Sequence, residues 1–198
     1  MLPRVWQGLK YPDSDLVGLL YRYARPGRDV PAESPRAIDV GCGPGRHVKL
    51  LADLGYQALG LDSDEEMCRI ARGNGVEVIC GPAEQYHPPQ PPDLVVAWGF
   101  MMLVADGPQL IAHWSPTIAI VDWRSPANTF FGFPENTVLP SGAVRIHRPG
   151  HTLHDQEYFA HDLPACQIPG YQRVHDQLVT KTADGEHHAW YQTVHRKS

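Results

Sequence analysis

Leu16, Leu19, Leu20 and Tyr23 recur at the three- and four-residue spacing of one helical face, behind Asp13, Ser14 and Asp15, which can cap a first turn and place negative charge on it. The pattern predicts an amphipathic helix that stops near Arg25-Pro26-Gly27. A connector rich in proline and charge, residues 28–35, leads into Ala37-Ile38-Asp39-Val40, which reads as a short buried strand. Helix and strand then alternate: helix Arg46 to Leu54 stopped by Gly55, strand Gln57 to Leu61, helix Asp64 to Arg72 stopped by Gly73, and strand Val76 to Cys80. Ser63-x-x-Glu66 matches a capping box for the second of these helices, whose Met67, Ile70 and Ala71 give an inward face.

Residues 84–92 hold too many prolines for a full helix, so the crossover there is abbreviated before strand Leu94 to Trp98. A short helix, Gln109 to Trp114, and strand Thr117 to Asp122 complete five strand–helix units. Their continuous apolar strands predict a parallel sheet covered on both faces. The pattern changes after residue 123. Residues 123–150 carry several Pro and Gly residues and the cluster Phe130, Phe131 and Phe133, a long irregular segment of the kind that forms a lid or substrate loop. A helix is expected over His154 to Ala165. Strands Tyr171 to Lys181 and His187 to His195 follow, joined through Ala183-Asp184-Gly185-Glu186, whose Asp-Gly is a hairpin turn signal. No internal repeat is visible.

With 198 residues, 42% hydrophobic and 20% charged, the chain can bury one substantial core, so a single domain is expected. The 19 prolines and 18 glycines mark loops within an ordered fold. A net charge of −5 supplies no positive field for phosphate backbones, which argues against nucleic acid as a partner. Eleven histidines would move that balance toward zero in mild acid. Cys42, Cys68, Cys80 and Cys166 form no C-x-x-C pair and follow no signal peptide, consistent with reduced thiols in the cytoplasm. The longest apolar run, Leu94 to Ala105, falls short of the roughly 18 residues of a spanning helix, so no membrane partner is expected.

Asp39-Val40-Gly41-Cys42-Gly43-Pro44-Gly45 joins the first strand to the first crossover helix. Glycines there let a ligand approach the main chain, and exposed N–H groups can meet its polar end. Asp62 follows about 20 residues on, at the tip of the second strand, where a carboxylate can bind both hydroxyls of a ribose. Each feature has a plainer reading: the glycines serve the turn alone, and Asp62 helps start the next helix. A dinucleotide fingerprint requires a third glycine at position 46, which is Arg here, so the loop is G-x-G-x-G.

Ala37-Ile38-Asp39-Val40-Gly41-Cys42-Gly43-Pro44-Gly45 resembles motif I of the class I S-adenosylmethionine-dependent methyltransferases. Gly60-Leu61-Asp62-Ser63 is similar to the family's second motif, Gly81-Pro82-Ala83-Glu84 to the segment flanking the adenine, and Pro92-Asp93-Leu94-Val95-Val96-Ala97-Trp98-Gly99 to the fourth-strand motif lining the methionine end. The resemblance covers residues 36–123, with an echo in the final hairpin. It implies an α/β, Rossmann-like doubly wound fold: a seven-stranded, mostly parallel sheet with an antiparallel C-terminal hairpin. The layout would be an N-terminal helix and connector over 1–35, a cofactor-binding core over 36–123, a substrate loop over 124–150, and a helix and hairpin over 151–198. S-adenosylmethionine would be the cofactor and S-adenosylhomocysteine the product. Asp39 would reach the amino-acid portion through the loop or water, Gly41 and Gly43 would lie against the cofactor, and Asp62 would hold the ribose. Ala83 or Glu84 would border the base, with Cys42, Gly45, Ser63 and Trp98 completing the set.

Methyl transfer from a sulfonium needs alignment and desolvation more than a catalytic side chain. A base is useful when the acceptor carries a proton, and His113, His147, His151 and Tyr11 are the candidates. His147, His151 and His154 lie in a Pro/Gly segment without a fixed face or accompanying carboxylates, so no metal site is assigned. Phe100, Trp123, Phe130, Phe131 and Phe133, with Trp6 and Tyr11, could wall an apolar pocket or pack in the core. Ala97-Trp98-Gly99-Phe100 lacks the Pro-Pro signature of the family's nucleic-acid amino methylases, and no Pro-Cys loop for cytosine occurs. The acceptor is therefore expected to be a small molecule, admitted under the N-terminal helix and the 123–150 loop. Two alternatives stand: a cofactor-binding regulatory module without turnover, and a nicotinamide-dependent oxidoreductase, which Arg46 disfavours.

Overall fold

The computed structural model describes residues 10–147, 149, 155–183 and 185–198. Trp6, His151, His154 and Asp184 lie outside the described residues. Among the described residues the first element is α1 (Ser14–Tyr23), started by Asp13, whose carboxylate accepts from the Asp15 amide at 2.9 Å. Strand β1 (Arg36–Val40), helix α2 (Arg46–Asp53), strand β2 (Gln57–Asp62), helix α3 (Glu65–Gly73) and strand β3 (Val78–Cys80) follow. Then come β4 (Leu94–Ala97), α4 (Gly107–Trp114) and β5 (Ile118–Arg124). Between β3 and β4 the proline-rich crossover holds only a 3-10 turn, Ala83–Gln85.

The main sheet has the order β3-β2-β1-β4-β5, extended by β10 (Glu186–Lys197) and β9 (Tyr171–Ala183). Strands β1 to β5 pair in parallel, whereas β10 runs antiparallel to both β5 and β9. The fold is thus α/β with a seven-stranded, mostly parallel sheet and an antiparallel C-terminal hairpin. The chain builds outward from β1 to β3 and then returns to place β4 on the other side of β1. That reversal opens a crevice beyond the carboxyl ends of β1 and β4, where open α/β sheets receive ligands.

Apolar residues alternate between the two covers. Ala37, Leu94, Val96, Ile118 and Ile120 pack beneath Leu16, Leu19 and Leu20 of α1 and Leu51 of α2. Ile38, Val40, Val95, Ala119 and Val121 face Ile111 and Trp114 of α4 together with Ile168 and Tyr171. Burial on both sides is why these strands are continuously apolar. Among the described residues no helix is long and apolar enough to cross a membrane.

Three expectations change. Asp64 rather than Ser63 starts α3: its Oδ1 accepts from the Glu66 and Met67 amides, while the Asp64 amide is itself held by Asp62 at 2.9 Å. That local carboxylate chain outcompetes the capping box, and Ser63 stays exposed. Residues 155–165 form no helix. Asp155 has a positive φ of 58°, Glu157–Tyr158 is strand β8, and Leu163–Ala165 is a 3-10 turn containing Pro164. Strand pairing wins because β8 closes a small antiparallel sheet with β6 (Thr137–Val138) and β7 (Val144–Arg145). The third change is that this sheet organises part of the 123–150 segment, around a cluster of Phe130, Ile146 and Tyr158.

His195 illustrates what the sheet buries. It is fully enclosed, its Nε2 lies 2.8 Å from Thr193 Oγ1, and its Nδ1 has no partner. Burial, helped by the Arg173 charge, pushes its pKa down to about 4. The folded state therefore refuses a proton that the unfolded chain accepts below about 6.5. Stability from this group is complete above that value and is lost as pH falls toward about 4. Urea denaturation of the native protein and of His195→Leu should show the gap between them changing against the native protein by about 1.4 kcal/mol per pH unit below 6.5. A gap independent of pH would contradict the assignment.

Candidate active site

The β1–α2 loop is built by its glycines for two different purposes. Gly45 has φ 86° and starts α2, and a Cβ there would lie 2.4 Å from Val76 Cγ2, so it permits the loop to dock on the α3–β3 connection. Gly41 and Gly43 instead face a cleft of about 860 Å³ at the carboxyl ends of the parallel strands. The amides of the loop are committed internally. Gly41 and Cys42 donate to the Leu61 carbonyl at 2.8 and 3.0 Å, Gly45 donates to the Cys42 carbonyl, and Gly43 donates to Asp62 Oδ2 at 2.7 Å. The expectation that these N–H groups meet a ligand directly is thereby corrected: the Leu61 and Cys42 carbonyls and the Asp62 carboxylate take them.

Asp62 stands on the rim beside Gly43. Its Oδ1 holds the Asp64 amide, so each oxygen has one fixed donor and retains accepting capacity on the side open to the cleft. Gly60 lies beneath: an added Cβ would meet Cys42 Sγ at 2.6 Å, so the bare position lets Cys42 fold under the loop. Asp39 is buried, and its Oδ2 has no partner. Burial pushes its pKa up to about 8, with Arg46 opposing that rise and Asp62 adding to it. Arg46 donates through Nη1 to the Tyr11 carbonyl at 3.0 Å. His47 is also enclosed, accepts from the Asp13 amide through Nε2 at 3.4 Å, and is pushed down to about 3 by burial and the Arg46 charge. It is neutral at ordinary pH.

Of the residues singled out from the sequence, Gly41, Cys42, Gly43, Asp62, Ser63, Ala83, Glu84 and Trp98 line the cleft. Asp39 lies behind it in the core, and Gly45 sits under Val76 instead of on the wall. Among the described residues of the proposed aromatic wall, Phe100 alone lines it. Trp123 is on the opposite face, donating Nε1 to Thr193 Oγ1 at 2.7 Å, and Tyr11 is 82% exposed. Phe130, Phe131 and Phe133 pack around the small sheet. His113 and His147 are exposed away from the cleft, His147 lying 3.8 Å from Asp155.

The far half of the cleft contains residues with no local signature: Asp122 and Arg124 on β5, Tyr158, Lys181 on β9 and Trp190 on β10. Asp122 is buried, accepts from the Gly99 amide, and is raised in pKa by burial against the Arg124 charge. A polar residue at each end of Asp122-Trp123-Arg124, closing an otherwise apolar strand, was the available clue.

The buried orphan oxygen of Asp39, the bare Gly41–Gly43 edge and the rim carboxylate of Asp62 suit a nucleoside carrying a charged amino-acid arm. The matching family model, described as a methyltransferase domain, spans residues 37–117. A trans-aconitate 2-methyltransferase of Mycobacterium sp. (strain KMS) is 30% identical over 146 residues, covering 71% of this chain and 52% of that protein. The chain therefore spans about half the length of the curated relatives it matches. The PH0226 protein from Pyrococcus horikoshii OT3 superposes with a TM-score of 0.68 at 16% identity, covering 92% of this chain and 88% of that one. The magnesium protoporphyrin IX methyltransferase of Synechocystis PCC 6803, crystallised with bound SAH, gives 0.64 at 14% identity, covering 94% and 81%. These structures share the fold, and the domain match extends along the strands that carry Gly41–Gly45 and Asp62. By that continuity of sequence, fold and site, residues 37–117 carry a methyltransferase domain, set in a chain that shares the fold of solved methyltransferases.

Proposed function

We propose that the protein transfers a methyl group from S-adenosylmethionine to a small-molecule acceptor. The observation that carries this reading is the position of Asp62, tied to the Gly43 amide on the rim of a cleft that continues past Trp98 and Gly99 to Arg124 and Trp190. One end offers a diol-binding acid, and the other offers room for a second molecule. Asp62 would hold the ribose, Ala83 and Glu84 would border the base, Gly41 would admit close approach, and Ser63, Cys42 and Trp98 would complete the wall. Asp39 and Gly45 would act from behind, through the loop they support.

When bound, S-adenosylmethionine supplies an electrophilic methyl carbon on a positively charged sulfur, so the transfer needs no resident nucleophile. The chain's share is alignment and exclusion of water, which the Phe100, Met102 and Leu103 wall favours. Asp122, buried with a raised pKa beside Gly99, is placed to hold or take a proton at its carboxylate. The mycobacterial relative is named for trans-aconitate, which makes that acid the first acceptor to try. Four free thiols, Cys42, Cys68, Cys80 and Cys166, fit a reducing compartment such as the cytoplasm.

Calorimetric titration of the folded protein with S-adenosylmethionine and S-adenosylhomocysteine should give one site of micromolar affinity, with NAD giving none. Methyl-labelled donor should then label an acceptor from a small-molecule panel. Absence of donor binding to folded protein would overturn this reading. Binding of the donor without labelled product across the panel would favour a regulatory module instead.

A further inference from the structure

The far end of the cleft is a corner formed where β10 and β9 add to the parallel sheet. Arg124 and Trp190 are direct partners across the antiparallel β5–β10 pair, so their side chains rise side by side on one face. The Arg124 guanidinium carbon lies 5.7 Å from the Trp190 ring centre and 5.9 Å from that of Phe130. On the neighbouring strand Lys181 sets its ammonium 5.2 Å from the same Trp190 ring. All but Phe130 line the cleft.

The Arg124 charge is felt by Asp122, two residues back on the strand, but its donors are not used up. Arg124 Nε is buried and has no hydrogen-bond partner, and among the described residues no carboxylate forms an ion pair with Arg124 or Lys181. A buried guanidinium donor left unmet is costly in a folded protein, and a bound anion would satisfy it. The closest acid along the strand, Asp122, is engaged with the Gly99 amide. Arg46, the other arginine of the cleft, is occupied by the Tyr11 carbonyl. The corner therefore has one part-buried cation with an open donor. Lys181 is exposed, so it contributes field more than a fixed contact.

The rings beside the guanidinium are Trp190 and Phe130, and the cleft wall that continues from it mixes apolar Phe100, Met102 and Leu103 with polar Gln156 and Tyr158. A planar fork with aromatic rings beside it is matched along its edge by a carboxylate, through two parallel N–H···O contacts.

Resting on the methyltransferase reading above and naming its acceptor class, we propose that the substrate is a small organic acid with a single anionic head and a flat unsaturated or aromatic body. Its carboxylate sits on Arg124, its body lies along Trp190, and Arg124 is the residue that selects for it. A tricarboxylate such as trans-aconitate would bring two further charges to a wall with no second buried cation.

The test uses the protein saturated with S-adenosylhomocysteine, titrated by calorimetry with trans-cinnamate, with its amide and with trans-aconitate. Cinnamate should bind about 10- to 100-fold more tightly than the amide, the range for a hydrogen bond to a charged group. It should also bind more tightly than trans-aconitate. Arg124→Gln should erase the preference for acid over amide while the S-adenosylhomocysteine affinity stays unchanged, and Arg124→Lys should restore only part of it. Equal binding of acid and amide, no binding of either, a preference that survives Arg124→Gln, or tighter binding of trans-aconitate would each overturn the proposal while donor-product binding stands. Failure of the native protein to bind S-adenosylhomocysteine would instead remove the methyltransferase reading and this proposal with it.

Discussion

Asp62→Ala should weaken S-adenosylmethionine binding by about 1.5–3 kcal/mol, the scale for losing hydrogen bonds to a charged group, which is roughly a 10- to 150-fold rise in the dissociation constant. Two effects contribute in the same direction. The carboxylate would no longer meet the ribose hydroxyls, and the Gly43 and Asp64 amides it now fixes at 2.7 and 2.9 Å would lose their acceptor. Asp62→Asn separates them, because one amide oxygen can still serve one main-chain donor while the charge is gone. Titration calorimetry of both variants should rank their affinities native, then Asn, then Ala. Equal affinity in all three would show that the rim acid serves only to start α3, the plainer reading the sequence leaves open.

The largest stability effect is expected at Gly45. Alanine there would have to keep φ 86°, a left-handed conformation that costs a non-glycine residue about 1–3 kcal/mol. Its Cβ would also meet Val76 Cγ2 at 2.4 Å, and a β-branched side chain has few rotamers into which to retreat. Overpacking of this kind adds about 1–3 kcal/mol, so Gly45→Ala should lose about 2–6 kcal/mol in urea denaturation. Val76→Ala in the same background should recover part of the loss by removing the methyl group that collides. An unaffected midpoint in Gly45→Ala would mean that the loop does not dock on the α3–β3 connection as described.

The two substitutions distinguish roles that look alike in a motif. Gly41, Gly43 and Gly45 occur at regular spacing, yet the first two border the cleft and the third holds the loop against its neighbour. In the same way Asp39 and Asp62 are both acids at strand ends. Asp39 is enclosed and raised to about 8, whereas Asp62 stands at the opening with main-chain donors on both oxygens.

The strands of the parallel core, the crossover helices and the Gly41–Asp62 half of the site are legible in the residues themselves, because each is written in one contiguous stretch. Strands buried on both faces must be apolar throughout, a tight strand-to-helix turn needs glycine, and an acid at a strand tip is displaced from its loop by only one crossover. Local pattern misleads where pairing decides, as at residues 155–165, where β8 forms because β7 offers it partners. The far half of the cleft has no such local record. Arg124 meets Trp190 only because β10 inserts antiparallel beside β5 in one register, and the same alternation sends Trp123 to the opposite face, away from the cleft. Side chains distant in sequence become a site through strand order and register, and those are set by packing of the whole sheet.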